Sequence, residues 1–211
     1  RDWRHKNFQM LAQFFSFYDI VRYMREAVNV VKQYDNALIE MMKVSDETRS
    51  SLEKYQKTVF DTAYAIGSSA LTLNQSTADW MRIGESLTEA AKSAKAAQVL
   101  MNVSEFQDIN SATQALVSAS QAYADLDKMD IVDKINKLGN EFPIATDQLA
   151  TALQNSAAAL TTQGNDINEA LALVVGGNII TQDALKTGTG IGTIALRIAG
   201  TKEAKDELAE L

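Results

Sequence analysis

The stretch DQLATALQNSAAALTTQGNDINEALALVVGG, Asp147–Gly177, decides the fold class. Leu149, Leu153, Ala157 and Leu160 recur at helical spacing and form one apolar stripe. Gly164 follows as a stop, because glycine accepts the left-handed conformation that closes a helix. Asp166 then opens a second helix, with Glu169 three residues on as the reciprocal half of a capping box. Gly176–Gly177 reads as the next stop. Helix, stop, cap and helix again fit within 31 residues, with no alternating β-branched run.

The same grammar extends outward. Ser or Thr with Gln or Glu three residues later occurs at Thr72–Gln75, Ser86–Glu89 and Ser104–Gln107, each an expected helix start. Gly67, Gly84 and Gly139 are the corresponding expected stops. Pro143 falls between Gly139 and a helix expected to be capped near Thr146. Ile131, Ile135 and Leu138 form a further stripe, as do Leu52, Tyr55, Val59 and Ala63. The reading is an all-α chain of about eight or nine helices, mostly ordinary in length. A short helix over Ile191–Gly200 ends at Gly200, and the closing 201–211 is a solvated, charged helix face.

Composition narrows the functions. The 211 residues include one Pro, one His and no Cys, with a net charge of −7. There is no disulfide, no thiol nucleophile and no Cys-based metal site. Net acidity argues against a general nucleic-acid binder, since phosphate contacts need Lys and Arg. The longest apolar runs, such as Ala170–Val175, are too short to span a bilayer. Because the chain begins Arg1-Asp2 rather than with Met, it is expected to be an internal piece of something longer.

The first 44 residues stand apart. Trp3–Val44 contains neither Gly nor Pro and is expected to form one helix of roughly 40 residues, about 60 Å long. A compact domain of this size would be only about 35 Å across. Trp3, Phe8, Phe14, Phe15, Phe17, Tyr18, Tyr23 and Tyr34 are eight of the chain's 15 aromatics. The segment carries a net +2 against −9 for the remainder. Two domains follow: an aromatic helical arm over 1–44 and a helical body over 45–211. An apolar helix that overshoots its body needs a partner, and self-association through the arm is expected. The alternative is a bend near Arg22–Arg25 that folds the segment onto its own body. The apolar seam is not a strict heptad, so a loose bundle is expected over a regular coiled coil. The body's inner faces are rich in Ala, which lets helices approach closely but buries less apolar area per residue.

No candidate catalytic, cofactor or metal residue survives inspection. His5 has only Asp2 nearby in sequence and reads as a surface histidine. Asp125, Asp127, Asp130 and Asp133 are the densest acidic cluster. An EF-hand starting at Asp125 would need Gly and Glu where Asp130 and Asn136 stand, so the cluster reads as a polar turn at a helix N-terminus. Gly188, Gly190 and Gly192 lack the Gly-Lys-Ser/Thr of a phosphate loop. They read as a flexible turn, or as close helix packing.

Several segments together resemble phage tail tape measure proteins, nearest to those of phages and prophages of Gram-positive bacteria. They are Met101–Phe106, Tyr123–Met129, Ile131–Asn136 and Asp147–Gln154, then Ala170–Val174, Gly188 and Ile194–Arg197. Upstream, Asp35–Leu38, Lys43–Asp46 and Ser76–Trp80 fit the same pattern. The likeness covers nearly the whole chain from about Val28 and rests on order and spacing. One departure is Gln182-Asp183-Ala184-Leu185, where relatives often carry a Pro after Gln-Asp.

The resemblance implies a structural, non-enzymatic virion protein of the tail lumen, present in the host cytoplasm during assembly. It would set tail length and be released during DNA ejection. Its implied partners are sister copies and the tail tube, tail-tip and tail assembly chaperone proteins, with no specific nucleic acid. Competing classes are a wall-degrading tail module, which would need a carboxylate pair in a pocket, and a helical scaffold or signalling module.

Overall fold

The computed structural model describes residues 17–200. Among these residues there are nine α-helices and no strand. They are α1 (Phe17–Lys43), α2 (Arg49–Ala65), α3 (Ala70–Arg82), α4 (Leu87–Asn102), α5 (Ile109–Ala122), α6 (Lys128–Glu141), α7 (Thr146–Thr162), α8 (Ile167–Thr181) and α9 (Ala184–Ile198). The all-α expectation holds.

Local capping chemistry sets most boundaries. Ser86 accepts from the Glu89 N–H, and Asp166–Glu169 is a complete capping box. Gly67, Gly84, Gly164 and Gly200 take positive φ and stop α2, α3, α7 and α9. Pro143 lies in the α6–α7 connection.

Several boundary expectations are corrected or refined. α3 begins one turn before Thr72, with Ser69 accepting from the Thr72 N–H. α5 is capped by Asp108; Ser104 instead accepts from the Phe106 N–H in the preceding turn. α7 does begin at Thr146, but its N-cap is Ala145, which makes no side-chain capping bond. Gly139 lies inside α6, and Gly176–Gly177 lies inside α8, which runs on until Gln182 adopts the left-handed conformation at φ 50°. The Gly188–Gly192 tract is helix, not turn, because α9 extends from Ala184.

The helices stack in two layers. From α2 onward each helix contacts the next, and α1, α3, α5, α7 and α9 contact one another in succession as one continuous layer. Helices α2, α4, α6 and α8 lie against that layer, with α4 touching α6. This is the logic of stacked helical hairpins, in which each pair buries its apolar face on its neighbours. The core follows from the Ala-rich inner faces. Ala90, Ala94, Ala97, Ala112 and Ala152 are wholly buried around Trp80, Leu100, Leu116, Leu149 and Leu153. α7 and α9 pack closely, because glycines of α9 meet the backbone of α7.

Candidate functional site

Helix α1 runs from Phe17 to Lys43 and stays helical through Arg22–Arg25. Residues 1–16, which include His5, Asp2 and four of the arm aromatics, lie outside the described residues. The C-terminal part of α1 belongs to the body. Ala37 and Met41 are buried, and Leu38 packs against the main core. Tyr34 stacks on Phe60 of α2 with ring centroids 5.6 Å apart, and its hydroxyl donates to Gln56 Oε1. Gln56 in turn exchanges two hydrogen bonds with Asn74 of α3, at 3.1 and 3.2 Å. Burial of the Tyr34 ring raises its hydroxyl pKa. On the solvent side, Arg82 of α3 bridges Glu40 at 2.9 Å and also pairs with Asp79.

The preceding turns of α1 are different. Met24, Val28 and Val31 are 65%, 51% and 66% exposed. At i, i+4 and i+7 they form one stripe, continued by Ile20 and widened by Tyr23 and Val30. Arg22, Arg25, Glu26, Asn29 and Lys32 share the remaining surface. A contiguous apolar helix face that none of the described residues covers is the signature of an interaction surface.

The described chemistry-bearing residues singled out in sequence form no metal-binding cluster. Asp127 is the N-cap of α6 and accepts from the Met129 N–H, and Asp130 lies in the first turn, where the helix dipole favours an anion. Among the described residues no group of three or more His, Cys, Asp or Glu could hold a metal ion. Gly188 and Gly192 serve close packing. A Cβ at 188 would sit 2.8 Å from the Ala152 Cα, and one at 192 would sit 2.9 Å from the Asn155 carbonyl oxygen. No helix among the described residues is long and apolar enough to cross a membrane.

Two features escaped the sequence. Asp147, in the first turn of α7, is pushed above the usual carboxylate range by burial and by a shared contact with Glu105. One of its oxygens, Oδ1, is buried without a hydrogen-bond partner. The other feature is a cleft of about 850 Å³ lined by residues of α1, α3, α5 and α7. Neither has a local sequence signal, because each is assembled from residues far apart in the chain.

No family model and no solved structure matches this chain.

Proposed function

We propose that this chain is a structural segment of a phage tail tape measure protein, which sets tail length during assembly and leaves with the DNA at ejection. The observation that carries the reading is the uncovered apolar face of α1 over residues 20–31, on a helix rooted in the body by Tyr34, Ala37 and Met41. Such a face suits lateral packing against sister copies around an axis. The order and spacing of segments from about Val28 onward, similar to tape measure proteins, supplies the biological setting. In this reading the protein is not an enzyme and uses no cofactor. It resides in the tail lumen, and in the host cytoplasm while tails assemble. Its other partners are the tail tube, tail-tip and tail assembly chaperone proteins.

The test is genetic and metric. Helical segments inserted in frame into the full-length gene should lengthen the tails of the encoding phage by about 1.5 Å per added residue, measured by electron microscopy. Tails of unchanged length would overturn the assignment. Clearing of a cell-wall suspension by the purified chain would point to the wall-degrading alternative instead.

A further inference from the structure

The α8–α9 hairpin leaves an apolar seam bare. Gly177 of α8 faces α9, where a Cβ would sit 2.8 Å from the Thr187 Cγ2 and 3.5 Å from the Ile191 Cδ1. The stripes on either side of this contact run out to the surface. On α8, Leu173 and Ile180 stand at i−4 and i+3 from Gly177. On α9, Ile194 and Ile198 follow the half-buried Ile191 at i+3 and i+7. All four are exposed, Ile180 by 84% and Ile198 by 74%.

Elsewhere in the stack the following helix covers such a seam. α5 lies on both α3 and α4, α6 on both α4 and α5, and α9 on both α7 and α8. The position after α9 therefore falls in the layer of α8, against α8 and α9. An open end of a helical stack needs a cover with a polar outer surface.

The sequence beyond α9 has the pattern of that cover. Residues 201–211, outside the described residues, read TKEAKDELAEL. Ala204, Leu208 and Leu211 stand at i, i+4 and i+7, the spacing of one helical stripe. Read backwards, α9 offers Ile198, Ile194 and Ile191 at the same intervals. An antiparallel helix would set Ala204 on Ile198, Leu208 on Ile194 and Leu211 on Ile191, with both stripes rising about 10 Å. Gly200, at φ 68°, ends α9 and turns the chain out of its axis. Residues 201–203 are then a connection of ordinary length for packed helices. Charge agrees with this placement. Arg197, one turn beyond Ile194, has no ion-pair partner among the described residues. Glu203 and Glu207 flank the apolar stripe of 201–211.

We infer that residues 201–211 dock as an amphipathic helix on the α8–α9 seam, antiparallel to α9, and close this end of the stack. The inference stands apart from the tail reading, which rests on α1, so either can fail without the other.

The test is site-directed disulfide formation in the full chain, which has no cysteine of its own. The variant Ile194→Cys/Leu208→Cys places thiols on the two facing stripes. The control Ile194→Cys/Asp206→Cys moves one thiol to the opposite face of the docked segment. Both are oxidised at low concentration and followed by non-reducing electrophoresis and peptide mass. The intrachain bond should close at least about tenfold faster in the first variant, because only facing positions reach the Cβ separation of about 3.5–4.5 Å that a disulfide needs. Equal rates in the two variants, or closure in neither, would overturn the inference. Bonds formed chiefly between chains would overturn it too, by showing that a second copy covers the seam.

Discussion

Gly188 of α9 rests directly on the backbone of Ala152 in α7, where a Cβ would lie 2.8 Å from the Ala152 Cα and nearer still to its carbonyl oxygen. The contact is backbone against backbone, so no side chain can rotate away. Gly188→Ala should therefore destabilise the fold by about 1–3 kcal/mol, despite the better helix propensity of Ala. Gly176, inside α8, has nothing within 4 Å of its would-be Cβ. Gly176→Ala should stabilise by about 0.5–1 kcal/mol. Urea titrations of the two variants beside the wild type check the opposite signs.

Asp147 carries a pH prediction. Its carboxyl is raised by burial first and by Glu105 next, so ionisation is harder in the folded chain than in the unfolded one. A raised acid contributes stability at low pH and loses it as pH rises from the unfolded value through the folded one. At pH 7 the ionised group opposes folding. Asp147→Asn should raise the melting temperature at pH 7, and the gain should vanish in acid, where the wild-type carboxyl is protonated in both states. A gain independent of pH would show that the carboxylate charge is not the cause.

The Tyr34 hydroxyl ties α1 to the α2–α3 amide pair Gln56 and Asn74. Tyr34→Phe keeps the stacking on Phe60 but removes this donor. The expected cost is about 1 kcal/mol. Amide hydrogen exchange should speed up in α1 more than in α7, since only the former loses an anchor.

These pairs also show what the sequence could convey. Ser86 and Asp166 are legible as caps because the signal is local and unopposed. Thr72 and Ser104 mislead because Ser69 and Asp108 compete within the same few residues, and tertiary packing selects the winner. Glycine is the harder case. Gly164 and Gly188 look alike in a string, yet one takes φ 83° to end a helix and the other admits a neighbouring backbone. Only the partner helix distinguishes them. The cleft amides at 33, 75, 114 and 154 come together only through helix stacking, so spacing gives no hint of them. The arm was legible in part, because a Gly-free, Pro-free, apolar run dictates a helix wherever it lies.

The central claim is that the exposed stripe of α1 joins copies of this chain. Sedimentation equilibrium of the full chain, beside the variant Met24→Glu/Val28→Glu/Val31→Glu, tests it most directly. All three positions are exposed, so the variant should keep its helical circular dichroism and melting temperature. The wild type should show a mass that rises with concentration above that of the monomer, and the variant should stay at the 23.1 kDa of one chain. A wild type that remains a folded monomer at high micromolar concentration, or a variant that associates as the wild type does, would contradict the account.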